Sequence, residues 1–328
     1  AMAYIHQNKI FAPYLEYNLT EHCNLRCRYC SQFAPYNPVH YAEIDAFKKD
    51  VEALAQVYHA FRFRFVGGEP LLHSGLLEFI NVVRNSRLAD KVVVCTNGKI
   101  LHTMSREFYL AIDEIDISWY PDSGKSERLT PILEKASEFA VQSFVKHIRD
   151  FELGWLGREI EDTALTRDIF DSCRIAHVHH CHTFYNGHYY KCSKPLFANN
   201  YFNKLGVRVP DLRVIDGVSL HQPDLMERLV SHLQDNTPLE SCKYCLGTVG
   251  KRVPWQQLEG EEIKRPPVLD GNAAEYVDRV HMKNTLAKRR LFRILRRNKW
   301  LHPLRGIYSQ IFRLDDYWDR VIGVGTPL

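Results

Sequence analysis

Two hydrophobic periodicities alternate along the first 150 residues, and their order predicts a fold. Leu15 to Thr20 has the alternation of a strand. Asp45 then offers an N-cap, and Phe47, Val51, Leu54, Ala55 and Tyr58 recur at helical spacing. Phe61 to Val66, reading FRFRFV, alternates apolar and basic residues as a strand does and ends in Gly67, Gly68, Glu69 and Pro70. Leu76, Leu77, Ile80 and Val83 mark a second helix, followed by a strand from Lys91 to Cys95 that closes on Thr96, Asn97 and Gly98. A helix from Met104 to Ile112, a strand from Glu114 to Tyr120, a helix from Leu129 to Ala140 and a strand from Val141 to Ile148 continue the series, which ends near Arg149 and Asp150. Regular strand and helix alternation builds a parallel sheet covered by helices. Polar or glycine-rich residues at each strand's carboxyl end form the rim where a (β/α) barrel keeps its active site. The expected fold is therefore α/β, a partial TIM-like barrel of five or six β/α units over residues 1–150. From about Phe151 the rhythm stops.

Composition narrows the class. With 45% hydrophobic and 25% charged residues the chain reads as an ordinary globular protein. No apolar run approaches the roughly 20 residues of a membrane span, and the N-terminal stretch lacks the regions of a signal peptide. The expectation is a cytoplasmic protein, and in a reducing compartment nine cysteines are metal ligands or catalytic thiols more readily than disulfides. They fall in two groups, Cys23, Cys27 and Cys30, then Cys173, Cys181, Cys192, Cys242 and Cys245, which suggests two metal sites. Cys95 stands apart and reads as a core position.

The stretch Tyr17 to Cys30, YNLTEHCNLRCRYC, spaces three thiolates as CxxxCxxC. Three cysteines on a four-iron cubane leave one iron without a protein ligand; chance or a zinc site gives the same spacing. Gly67 and Gly68, followed by an acid, let a backbone approach a ligand closely. A CxxxCxxC loop after one strand and GGEP after the next resembles the radical S-adenosylmethionine (SAM) superfamily. The resemblance implies a [4Fe-4S] cluster on Cys23, Cys27 and Cys30, with SAM on the open iron and reductive cleavage to a 5′-deoxyadenosyl radical. It implies that Gly67, Gly68, Glu69 and Pro70 receive the methionyl amino group, that Tyr29 lies at the adenine, that Thr96 and Asn97 approach the nucleoside, and that Ser118 meets the ribose or carboxylate. The plain readings are a strand-ending turn at Thr96 to Gly98 and a buried hydroxyl at Ser118. Arg149 has a fork suited to the SAM carboxylate or a substrate anion, or is a surface arginine.

Asn186-Gly187, flanked by His182 to Tyr185 and His188 to Tyr190, predicts a β-hairpin. Thirteen residues separate Cys173 from Gly187, four separate Gly187 from Cys192, and Cys242 and Cys245 form a CxxC. This layout resembles the SPASM/twitch branch, and the lack of later cysteines matches its shorter, twitch version. The resemblance implies one auxiliary [4Fe-4S] cluster on Cys173, Cys192, Cys242 and Cys245, since Cys181 lies too near Gly187 for the family spacing. A structural zinc on the same four sulfurs is the alternative. Cys181, left free, is a candidate catalytic hydrogen-atom donor of the kind radical epimerases use, or a small buried hydrophobe. His177, His179, His180, His182 and His188 crowd this region as candidate bases, or as residues of a solvated hairpin face.

After Pro266-Pro267, Lys283 to Lys299 reads as a basic amphipathic helix with Leu286, Leu291, Phe292, Ile294 and Leu295 interleaved. It either packs on the barrel or meets an anionic lipid surface, a phosphorylated substrate or nucleic acid. Trp300, Tyr308, Phe312, Tyr317 and Trp318 call for something to cover them. The expected organisation is a barrel over 1–150, a twitch/SPASM-like auxiliary iron-sulfur domain over 151–265 and a basic helical extension over 266–328. The expected activity is hydrogen abstraction from a small-molecule substrate (a sugar, aminocyclitol or glycosylated metabolite), oxidising a carbinol to a ketone, with a reductant such as flavodoxin or ferredoxin as partner for the reductive cleavage of SAM. An epimerase, a peptide- or RNA-modifying enzyme and a non-enzymatic iron-sulfur or zinc protein are the alternatives. The sequence leaves the oligomeric state open.

Overall fold

A computed structural model describes residues 3–123, 126–179, 181–297 and 326–327. The first half runs β1 (Tyr4–His6), β2 (Lys9–Thr20), α1 (Ile44–Val57), β3 (Tyr58–Gly67), α2 (Leu76–Ser86), β4 (Ala89–Thr96), α3 (Arg106–Ala111), β5 (Glu114–Trp119), α4 (Leu129–Glu138) and β6 (Gln142–His147). Strands β2 to β6 pair in parallel in chain order. The fold is therefore α/β with a mainly parallel sheet, as the alternation predicts. Two boundaries differ from expectation. The N-cap of α1 is Glu43, with Asp45 inside the first turn. Tyr58 opens β3 instead of closing α1, because its hydroxyl lies 3.0 Å from His182 Nδ1 and its ring packs on Tyr189, contacts made from a strand position.

The FRFRFV strand explains the two faces of the sheet. Phe63 and Phe65 point outward, where Phe47 of α1 meets both and Phe79 of α2 at ring distances of 6.1, 6.1 and 4.9 Å. Each such ring contributes about 1.5–3 kcal/mol through burial. The arginines point the other way, and that face is not water. Arg64 bridges Glu16 at 2.7 Å and Asp116 at 2.8 Å, while Arg62 and Lys91 both reach Glu114 at 2.7 Å. The inner face of the sheet is thus lined with ion pairs.

The second half contains β7 (Asp150–Glu152), α5 (Thr163–Ser172), β8 (Thr183–Tyr185), β9 (His188–Tyr190), α6 (Ala198–Leu205), α7 (Leu212–Asp216), β10 (Val218–Ser219), α8 (Leu225–Gln234), β11 (Arg252–Pro254), α9 (Ala273–Tyr276), α10 (Arg279–Arg297) and β12 (Thr326–Pro327). The predicted hairpin is β8–β9, turning at Asn186 (φ 45°) and Gly187 (φ 77°). Buried Asp50 of α1 fixes that turn, accepting the Gly187 N–H at 2.9 Å with His221 Nε2 2.8 Å from its other oxygen. Because β8 pairs in parallel with β2, the sheet order is β10-β9-β8-β2-β3-β4-β5-β6, and residues after 150 share a sheet with those before it. A second apolar core joins Leu153, Leu156, Ile169, Leu246, Val249 and Met282.

The basic helix α10 docks on this second core through Met282 and Leu286, and Arg289 reaches Asp171 of α5. The side chains of Leu291, Phe292, Ile294 and Leu295, and all of Lys299, Trp300, Tyr308, Phe312, Tyr317 and Trp318, lie outside the described residues. No described helix is long and apolar enough to cross a membrane.

Candidate active site

Strand β2 delivers the first cysteine loop, and the glycine pair at the end of β3 lets the two meet. A Cβ on Gly67, whose φ is +139°, would sit 2.4 Å from Thr20 O, and one on Gly68 would sit 1.9 Å from His22 O. These glycines make room for the chain itself. Gly68 N–H and Glu69 N–H then bond to Thr20 O and His22 O at 2.9 and 3.1 Å.

Glu69 is fully buried, and its carboxylate faces the protein. Oε1 accepts from Thr96 Oγ1 at 2.7 Å and from Leu71 N–H at 3.1 Å, and Oε2 accepts from Asn97 N–H at 2.8 Å. Burial outweighs these bonds and pushes its pKa up to about 7. Asn97 in turn sends its side-chain amide to Asn24 Oδ1 at 2.6 Å and toward Cys23 Sγ at 3.6 Å. Pro70 opens the one-turn helix that follows. The GGEP turn, Thr96 and Asn97 therefore form one hydrogen-bonded unit that ends on the first cysteine.

Burial pushes the Cys23 thiol up to about 12 and raises Cys27 and Cys30 as well, and the three thiols lie near enough to bear on one another. Thiolate ligation must therefore displace protons. Donors already face these sulfurs: Leu25 N–H lies 3.4 Å from Cys23 Sγ and Trp255 Nε1 3.2 Å from Cys27 Sγ. Hydrogen bonds to sulfur are what cluster thiolates accept, so the donor set suits a bound iron-sulfur cluster. The segment carrying Trp255 straps the loop, with Arg28 N–H to Gln256 O at 2.9 Å and Leu258 N–H to Arg26 O at 2.8 Å. Nothing in the motif spacing announced that strap.

The late cysteines also gather. The thiols of Cys192 and Cys242 each feel Cys173 and Cys245, and a Cβ on Gly247 would lie 3.4 Å from Cys173 Sγ. Gly247 N–H points at Cys245 Sγ at 3.2 Å, and the Lys194 ammonium lies 3.6 Å from the same sulfur. Glu16 and Arg64 act on the Cys181 thiol, as do Cys192 and Cys173, and burial raises its pKa. Among the described residues no three His, Cys, Asp or Glu side chains close around a single-ion site.

A cavity of about 430 Å³ lies between the two groups. Tyr29 and Ser31 of the first loop line it, together with Lys146 to Glu152, Gly154, Lys194, Gly247, Thr248 and Arg252. Tyr29 takes a left-handed backbone, φ 61°, which a non-glycine residue rarely adopts. Arg149 is exposed on the cavity wall, and Arg252 is held by Asp150 at 3.2 Å and Glu152 at 3.6 Å. Ser118 is half-buried on β5, in register with Lys146 of β6.

Two expectations need correction. Cys95 does not sit in the apolar core: its sulfur is 3.7 Å from Asp116 Oδ2, on the ion-paired inner face. His182 is not on a solvated hairpin face: it is 2% exposed beside Tyr58, and burial lowers its pKa to about 3, leaving it neutral. His177 packs edge-on against Phe170, while the side chain of His179 and all of His180 lie outside the described residues. Asn18 escaped notice in the sequence. It is 1% exposed on the ion-paired face, and neither atom of its carboxamide has a partner among the described residues.

Residues 17–134 match the family model of the radical SAM superfamily. The chain carries a radical SAM domain. The GTP 3′,8-cyclase of Helicobacter pylori is 32% identical over 125 residues, 37% of this chain and 38% of that protein. The enzyme of the same name from Heliobacterium modesticaldum is 33% identical over 108 residues, 32% of this chain and 33% of that protein. The match thus spans less than half the length of these curated relatives. Among solved structures, BtrN in complex with AdoMet and 2-DOIA covers 73% of this chain and 94% of its own at 17% identity, with a TM-score of 0.44. Streptococcus suis SuiB bound to S-adenosylmethionine covers 42% of this chain and 34% of its own at 12% identity, with a TM-score of 0.35.

Proposed function

We propose that this radical SAM enzyme oxidises a carbinol of a small polar metabolite, a sugar, aminocyclitol or glycosylated compound, to a ketone. The observation that carries the proposal is the cavity bounded on one side by Tyr29 and Ser31 of the first cysteine loop and on the other by Lys194 and Gly247, which touch Cys245. Cys23, Cys27 and Cys30 would hold one [4Fe-4S] cluster and Cys173, Cys192, Cys242 and Cys245 a second. When bound, the first with SAM supplies a hydrogen-abstracting 5′-deoxyadenosyl radical, and the second supplies an acceptor for the electron left on the substrate carbon.

The chain's own residues do the rest. Thr96, Asn97 and Glu69 fix the loop of Cys23, and the 255–258 strap ties it down through Arg26 and Arg28. Tyr29 and Ser118 border the space for the nucleoside, and Arg149 offers paired donors to a carboxylate or substrate oxygen. Asp150 and Glu152, held by Arg252, are cavity carboxylates able to take the carbinol proton. The auxiliary region, 151–265, and the basic extension, 266–328, complete the arrangement, with flavodoxin or ferredoxin as the reductant. The motif layout is similar to that of 2-deoxy-scyllo-inosamine dehydrogenase.

A panel of polyols, aminocyclitols and GTP, incubated with loaded enzyme, SAM and reductant, tests the proposal. A carbonyl product two hydrogens lighter, with one SAM consumed per turnover, is expected. An isomer carrying solvent deuterium and lost in Cys181→Ala would make the enzyme an epimerase, and turnover of GTP alone would place it with the cyclases its radical SAM domain resembles.

A further inference from the structure

Lys194 follows Cys192 by two residues and opens the short helical turn Lys194–Phe197. It is only 8% exposed, donates to Gly247 O at 2.9 Å and stands 3.6 Å from Cys245 Sγ. Among the described residues it makes no ion pair with a carboxylate, and its two polar contacts are Gly247 O and Cys245 Sγ. A buried ammonium persists only where negative charge compensates it. Neutral thiols supply none. Four thiolates around an oxidised [4Fe-4S] core supply a net charge of about −2.

We infer that Lys194 is the buried counter-charge of the four-cysteine centre, and that it makes this centre easier to reduce and hence a better acceptor of a substrate electron. The inference rests on the second-cluster reading given above. Lys194 also lines the cavity with Tyr29 and Arg149, so its charge lies between the substrate space and Cys245. A cation beside a cluster favours the form with one more electron, as burial, net charge and sulfur contacts together set cluster potentials. Lys194 acts through the cluster and touches no reacting atom.

The test is an anaerobic redox titration of the loaded wild type, Lys194→Met and Lys194→Arg, followed by electron paramagnetic resonance with dithionite as electron source. Lys194→Met is expected to raise the oxidised-to-reduced ratio of the second cluster at least tenfold at a fixed potential, a downward shift of about 59 mV for one electron. Lys194→Arg should recover most of that shift, and the Cys23, Cys27 and Cys30 cluster should titrate as before. An unchanged second potential in a fully loaded Lys194→Met overturns the inference alone. Loss of the second cluster's iron in Lys194→Met but not in Lys194→Arg supports a charge requirement; loss in both variants marks a packing role and overturns it. A wild type that carries one cluster by iron count and by resonance overturns the four-cysteine reading and this inference together, an outcome visible without any variant.

Discussion

Glu69→Gln separates the two things a buried carboxylate does at the end of β3. Either orientation of the new amide points its NH₂ at a backbone N–H, that of Leu71 or that of Asn97, because each carboxylate oxygen now accepts one of them. Opposing two buried donors costs about 1–3 kcal/mol. The variant also removes a group whose folded pKa, about 7, stands above its ordinary value of 4.5. A raised pKa means the carboxyl contributes most below pH 4.5 and that this contribution is lost as pH rises through 7. At 1.36 kcal/mol per pH unit the wild type loses about 2 kcal/mol between pH 5.5 and 8 from this group alone. The variant loses none of it. Thermal unfolding of the loaded protein without SAM reads the difference: at about 2 °C per kcal/mol, the wild type's Tm advantage over Glu69→Gln should shrink by about 4 °C from pH 5.5 to pH 8. Parallel pH profiles would refute the placement of a buried, ionising Glu69 at the hub of Thr96 and Asn97.

Two further predictions concern the inner face and the late cysteines. Arg64→Met leaves Glu16, 5% exposed, without its partner, and should cost about 3–5 kcal/mol in denaturant unfolding; adding Glu16→Gln should recover part of that loss. Cys173→Ala should lower bound iron by about four atoms per chain and Cys181→Ala should leave it unchanged, since one cubane holds four irons; iron analysis of the two loaded variants decides it.

What the sequence could reveal follows from how local each signal is. The β/α alternation and the Asn186-Gly187 turn depend on residues within a few positions of one another, so both could be read directly. Strand edges shifted where a distant contact intervened, as when Tyr58 joined β3 to reach His182 and Tyr189. The basic half of FRFRFV gave no sign of facing inward, because its partners Glu16, Glu114 and Asp116 lie on other strands, 48, 52 and 52 residues away. Separation along the chain also hid the Asp116 contact of Cys95, 21 residues away, and the Trp255 strap, 228 residues from Cys27. The GGEP glycines were legible as a site of close approach, but their nearest neighbours proved to be Thr20 and His22 of the chain itself. Lys194 could have been suspected only as a lysine two residues after Cys192, a weak signal until its burial beside Cys245 is seen.

The most direct measurement is anaerobic reconstitution with iron and sulfide, addition of dithionite and SAM, and chromatography for 5′-deoxyadenosine. The account predicts its formation by the wild type and its loss in Cys23→Ala, Cys27→Ala and Cys30→Ala. A fully loaded wild-type protein that leaves SAM intact under these conditions would contradict it.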